Sequence, residues 1–234
     1  MQIKTIKTKV FVEREDLFAF VTRYIKRVPE RSVIVITSKI AALAEGRTVV
    51  LETEKEKDAL IRAESEIAIK TEHVWLTIKD GMVLANAGVD ESNADGKIIL
   101  LPKDSFKVAV DMRKKLMAHY GVQELGILIT DSRLMPLRAG VVGVALGYAG
   151  FRGIRDYRGT PDIFGRKLKM TQTDIADGLA TAAVLPMGEG RECQPLALIT
   201  GAPIEFTDKL NKKELLIPIE EDVYGPMFRK LGKK

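Results

Sequence analysis

Ser32-Val33-Ile34-Val35-Ile36-Thr37 constrains this chain more than any other stretch. Consecutive β-branched residues without alternation read as a buried strand. The residues that follow, Ser38-Lys39-Ile40-Ala41-Ala42-Leu43-Ala44-Glu45, read as a helix that stops at Gly46. A buried strand that feeds a helix directly leaves backbone N–H groups free at the sheet edge, where phosphates bind. Plain capping by Ser38 explains the same pattern equally well. A second buried run, Leu125-Gly126-Ile127-Leu128-Ile129-Thr130, is followed at once by Asp131-Ser132.

The other elements are mixed in kind. Residues 3–12 alternate loosely and predict an edge strand. Residues 16–27, 53–69 and 104–120 predict helices, the last with Phe106, Val108, Val110, Met112, Leu116 and Met117 as its apolar members. A hairpin is expected from residues 74–84, turning at Lys79-Asp80-Gly81, and short apolar runs follow at 97–102 and 196–199. Thr171-Gln172-Thr173-Asp174 predicts a capped helix start, with Ala-rich turns to Leu185 and an end at Met187-Gly188-Glu189-Gly190. Residues 141–153 are apolar with glycines at 143, 147, 150 and 153, a spacing that suits close backbone packing and not a dinucleotide fingerprint. No repeat or long linker divides the 234 residues. The expectation is one domain over residues 1–234, of mixed α/β or α+β class and not a regular βαβ series.

Composition removes whole classes of function. At 46% hydrophobic and 29% charged the chain is globular and not disordered. No apolar run approaches the roughly 20 residues of a membrane span. The N-terminus lacks a signal-peptide core. A lone cysteine, Cys193, allows no internal disulfide and suits a reducing, cytoplasmic setting. The net charge of +5 is dispersed and aromatics are sparse, so a nucleic-acid surface is not expected and a small polyanion such as a nucleotide is the better partner. With two histidines and one cysteine, zinc is excluded on donor count. A metal here needs oxygen ligands, hence magnesium or manganese.

Three polar clusters follow apolar elements. They are Asp90 with Ser92 and Asn93 in the loop 86–93, Asp131 with Ser132, and Glu189 between Gly188 and Gly190. Each alone is an ordinary turn or cap. Brought together, they make an oxygen-only site able to hold divalent ions against a triphosphate. No Walker A motif exists, and no Ser-His-Asp or Cys-His arrangement offers a covalent nucleophile. Arg152, Arg155, Arg158 and Arg166, interleaved with Asp156 and Asp162, read either as a surface ion-pair network or as a carboxylate or phosphate grip.

These segments resemble the coenzyme F420:L-glutamate ligase family. The matching stretches are residues 35–40 and 44–47, Asn86-Ala87-Gly88-Val89-Asp90-Glu91-Ser92-Asn93, Leu100-Leu101-Pro102, Ile129-Thr130-Asp131-Ser132, residues 140–150, Asp156, Gly159, Asp162, Gly165-Arg166, Thr171, Ala176-Asp177 and Met187-Gly188-Glu189-Gly190. The resemblance implies an unusual α/β fold, a homodimer and a GTP- or ATP-dependent amide ligase. Such a ligase phosphorylates an acceptor carboxylate, and the amine of L-glutamate then displaces the phosphate. It implies metal ligands at Asp90, Asp131, Ser132 and Glu189, with Asp90 and Asp131 carrying catalysis. It implies nucleotide contacts from Ser38, Lys39, Asn93, Met187, Gly188, Glu189 and Gly190. The chain departs from the family at Thr8-Lys9-Val10-Phe11-Val12, where a Gly-Leu-Pro segment is usual, at Leu43 for a lysine, and at Leu134-Met135 for Gly-Arg, although Arg138 remains. These departures keep open a folate-type γ-glutamyl ligase, and a nucleotide-binding protein without ligase activity. A structural oligomerisation protein has only the apolar 141–153 stretch in its favour.

Overall fold

In the computed structural model, which describes residues 1–231, the chain is a mixed α/β protein. The first half contains β1 (Gln2–Ile6), α1 (Leu17–Tyr24), β2 (Ser32–Thr37), α2 (Ser38–Glu45), β3 (Thr48–Val49), α3 (Glu54–Ala63), β4 (Ile67–Lys70), β5 (Trp75–Lys79), β6 (Met82–Ala85), β7 (Ile98–Ile99) and α4 (Ser105–Tyr120). The second half contains β8 (Leu125–Leu134), β9 (Val141–Ala149), β10 (Ile154–Asp156), β11 (Gln172–Asp174), α5 (Ile175–Met187), β12 (Leu196–Thr200) and α6 (Gly225–Leu231). Among the described residues no helix is long and apolar enough to cross a membrane.

The central sheet has the order β1-β12-β2-β8-β9. Only β2 and β8 are paired in parallel, with Thr37 opposite Thr130. Side chains of a strand point alternately to its two faces, and here both faces are covered. Ile34, Ile36, Ile127 and Ile129 pack with Phe20, Val21, Met112 and Leu116 of α1 and α4. Val33, Val35 and Leu128 pack on the other face with Leu179, Ala180, Ala183 and Met187 of α5. That is why the strand sequences are apolar throughout and do not alternate.

The glycines of β9 let both helix layers approach. A β-bulge opposite Ile129 and Thr130 gives β9 one extra residue and flips its faces. A methyl group on Gly147 would stand 2.5 Å from the Phe106 nitrogen in α4, and one on Gly143 would stand 2.5 Å from the Ala180 carbonyl in α5. The close-packing expectation for this stretch therefore holds.

The structure shortens or shifts other expectations. The strand expected at 3–12 ends at Ile6. The helix expected at 53–69 ends at Ala63, because Ile67 and Ile69 alternate into register with β5. Residues 172–174 are a strand paired with β10; Asp174 caps α5 by accepting from the Asp177 amide at 2.9 Å. Val110 is exposed on α4 and does not join the core. Asp131 and Ser132 lie inside β8, past the bulge, and not after it.

Gly147→Ala places its methyl against helix backbone that has no room to yield. It is expected to cost about 1–3 kcal/mol, read as a lower urea midpoint, whereas Gly178→Ala, with open space around it and an ordinary helical backbone, should cost nothing.

Candidate active site

The parallel register creates the site. Thr37 lies opposite Thr130, so the next residues, Ser38 and Asp131, emerge side by side at the carboxyl ends of adjacent strands. Ligand crevices of open α/β sheets form at such edges. Ser38 is the first residue of α2 and is buried; Thr37 is the cap and makes no side-chain bond to the helix. Capping by Ser38, left open by the sequence, does not occur. Its hydroxyl instead helps to hold the Asp131 carboxylate.

Alternation along β8 then sends neighbouring side chains to different partners. Asp131 turns toward α2. Ser132 turns toward the end of α5, where its hydroxyl donates to Glu189 Oε1 at 2.5 Å. Glu189 sits in the turn that ends α5, opened by Gly188 at φ 82°. The Glu192 carboxylate fills the space beside Gly188 and accepts from the Gly190 amide at 2.8 Å.

The loop 86–93 forms the opposite wall. Asn86 and Ala87 both adopt left-handed backbone, at φ 52° and 55°. The turn is secured because the Asn86 side chain accepts from the Trp75 amide at 2.8 Å and Thr77 Oγ1 accepts from the Ala87 amide at 2.8 Å. Asn86 is therefore a structural residue of the loop. Asp90 pairs through its backbone with Ile99, which fixes its position. Lys39 crosses the gap: its ammonium lies 2.8 Å from Asp90 Oδ2 and donates to the Ser92 carbonyl at 2.7 Å. Asn93 closes the far side by donating to the Gly190 carbonyl at 3.2 Å.

Ser38, Lys39, Asp90, Asn93, Asp131, Ser132 and the Met187–Gly190 turn all line one cleft of about 610 Å³. Every residue that the family resemblance assigned to metal or nucleotide, unlike the arginines of residues 152–166, is therefore on it. They are not gathered into a finished cage: among the described residues, no three acidic, histidine or cysteine side chains are grouped tightly enough to hold a metal ion. The reason is local pairing, with Asp90 engaged by Lys39 and Ser92, and Glu189 by Ser132. The donor chemistry nonetheless fits a hard cation, since all the side chains concerned offer oxygen.

Electrostatics single out Asp131. Burial, together with the nearby Asp90 charge, pushes its carboxyl up to about 6, against a hydrogen bond from the Ser132 amide. Burial also acts to raise Asp90, but hydrogen bonds from Lys39 and Ser92 outweigh it and hold that carboxyl below its ordinary range. Of these two carboxylates, Asp90 is well compensated, whereas the more distant attraction of Lys39 does not offset the burial of Asp131.

Sequence reasoning missed Arg191 and Glu192 of this cleft, isolated loop residues that carry no periodic or motif signal. Two of the departures from the family, Thr8-Lys9-Val10-Phe11 and Leu43, do line it. Leu134 and Met135, by contrast, stand exposed at the tip of the β8–β9 hairpin, outside the cleft lining. Cys193 is exposed in the cleft. His119 packs edge-on against Phe18 and Tyr120.

A mixed α/β sheet with an oxygen-rich cleft at the ends of its parallel strands, and no P-loop, defines a narrow class of protein. The family model described as F420-0:Gamma-glutamyl ligase matches residues 5–201. The chain belongs to that family. It is 35% identical over 213 residues to the coenzyme F420:L-glutamate ligase of Methanococcus maripaludis (strain C7), covering 83% of this chain and 85% of the relative. It is 36% identical over 213 residues to the protein of the same name from Methanothermobacter thermautotrophicus, covering 82% and 84%. The corresponding protein of Methanopyrus kandleri is 42% identical over 148 residues, covering 63% and 58%.

Because Asp131 binds its proton more tightly folded than unfolded, it costs nothing below about pH 4 and its full penalty above about pH 6. Asp131→Asn is therefore expected to stabilise the metal-free protein by about 1–2 kcal/mol at pH 7.5, because partial exposure of the residue lets solvent offset some of the penalty. The gain should vanish near pH 4, as measured by thermal unfolding across pH.

Proposed function

We propose that this protein is a nucleotide- and divalent-metal-dependent ligase that adds L-glutamate in γ-linkage to an acceptor carboxylate, as in a coenzyme F420-0:L-glutamate ligase. The observation that carries the reading is the juxtaposition of Ser38 and Lys39 at the start of α2 with Asp90, Asp131, Ser132 and Glu189. Helix amides and an ammonium attract phosphate, and the oxygen set opposite attracts its counter-cation. Family membership supplies the glutamate and the amide bond.

The chemistry balances without a covalent nucleophile on the protein. An acceptor carboxylate oxygen attacks the terminal phosphorus of the nucleoside triphosphate, and the diphosphate leaves. The glutamate amine then attacks the acyl carbon, phosphate departs with the bonding pair, and the amine proton passes to solvent. Magnesium or manganese on Asp90, Asp131, Ser132 and Glu189 would supply the charge neutralisation that phosphoryl transfer requires. Lys39 and the uncapped N–H groups of α2 orient the phosphates, and Asn93 and the Met187–Gly190 turn bound the nucleotide. Two anionic substrates meet here, and Lys39 offsets part of their repulsion. The homodimer implied by the family has an apolar surface at its disposal, the exposed Ile163, Phe164 and Met170 beside the β10–β11 ribbon.

The test is incubation with L-glutamate, manganese, ATP or GTP, and either the F420 precursor or folate, read by mass spectrometry. A mass gain of one glutamate on the F420 precursor is expected. Gain on folate alone would reassign the acceptor, and nucleotide binding with no product on either would leave a binding protein. Asp131→Asn should lower turnover at least about 100-fold with the fold retained by circular dichroism, and a chelator should abolish it until manganese is restored. Unchanged turnover in Asp131→Asn would remove Asp131 from the site.

A further inference from the structure

The arginine cluster of residues 152–166 plays no part in the cleft. Three of its members, Arg152, Arg155 and Arg158, line a second cavity of about 540 Å³, which also meets Ile175, the first residue of α5. The ligase cleft meets Met187, the last residue of the same thirteen-residue helix. At ~1.5 Å per residue the two lie roughly 18 Å apart along the helix.

The cluster separates into committed and uncommitted charges. Arg152 Nε lies 2.7 Å from Glu205, and Arg158 grips Asp156 with contacts of 2.6–3.0 Å. Asp162 accepts from the backbone amides of Phe164 and Arg166, at 2.9 Å each, and so neutralises no guanidinium. The third lining carboxylate, Glu214, accepts from the Tyr148 hydroxyl and the Gly153 amide, each at 2.8 Å. Asp156 and Glu205 are thus paired with guanidinium groups, whereas Glu214 is held by two neutral donors. Arg155 donates to the Pro203 carbonyl and to the Tyr157 hydroxyl, both neutral acceptors. Among the described residues, neither Arg155 nor Lys213 has a carboxylate partner.

Two cations without an ion-pair partner, against one such carboxylate, Glu214, therefore face a cavity whose other walls include Ile154, Ile175 and Ile204. Its volume lies in the range of small-molecule sites. A planar guanidinium that retains donors, beside an ammonium, suits a carboxylate or phosphate. The isoleucines suit a short carbon skeleton between anionic groups. A nucleotide with its metal fits the ligase cleft better; here Asp156 and Glu205 are already held by guanidinium groups, and the cations on the wall, Arg152, Arg155, Arg158 and Lys213, outnumber the carboxylates by one.

From this geometry we infer that the cavity at the N-terminal end of α5 is a second binding site, for a small organic dianion held by Arg155 and Lys213. Its carboxylate and phosphate forms share the recognition chemistry. The inference does not depend on the ligase reading, because it uses no residue of that cleft.

The test is isothermal titration of the whole protein with glutarate and, separately, with inorganic phosphate, against potassium chloride at matched ionic strength. Saturable binding is expected for at least one anion and none for chloride. Tighter glutarate binding assigns a dicarboxylate, and tighter phosphate binding a phosphate ester. Arg155→Gln and Lys213→Gln should each weaken binding about tenfold, while Asp131→Asn in the ligase cleft should leave it unchanged. Lys213 is an exposed side chain, so its variant tests the site without risking the fold. Absence of saturable binding, wild-type affinity in both arginine and lysine variants, or loss on Asp131→Asn would overturn the inference.

Discussion

The parallel pairing of β2 with β8 is the constraint on which the rest depends. Its register sets Thr37 opposite Thr130, so a helix start and an acidic strand continuation leave the sheet at neighbouring points. A one-residue slip would turn every side chain of one strand to its opposite face. Ile34 and Ile36 would lose α1 and α4, and Asp131 would point away from α2. Core and site are therefore specified by the same hydrogen bonds, and the cost of misregister falls on both.

The site built on this pairing is electrostatically incomplete. Lys39 satisfies Asp90, and Ser132 satisfies Glu189, but Asp131 is left half-buried with a raised affinity for protons. Fold stability alone would favour a neutral residue there. Groups destabilised in this way cluster at functional sites, where a ligand supplies what the protein withholds. The same logic run in the opposite sense describes the second cavity, where Arg155 and Lys213 await negative charge.

Much of the fold was legible in the sequence. Buried strands β2 and β8 were plain from runs without alternation, and α2 and α4 from their caps and spacing. Errors came where local signals compete. Thr171 resembles a cap, yet Asp174 takes that role because residues 172–174 first pair with β10. The charged stretch after Thr53 reads helical through Ile69, yet strand pairing with β5 claims its end. Arg152 and Arg158 are ion-paired, as a surface network would be, while Arg155 is not; spacing carries no information about which carboxylate lies within reach.

By itself the sequence determined the family, the apolar strands and the identity of the polar residues that follow them. These are local or pattern properties, set by residue type and by order along the chain. Only the tertiary structure decided that Asp90, Asp131 and Glu189 share a cleft, that Ser132 rather than Asp131 meets Glu189, and that Lys39 already occupies Asp90. The physical reason is that convergence depends on strand register, the alternation of side chains past a bulge, and helix endpoints. None of these is encoded in the spacing of residues far apart along the chain.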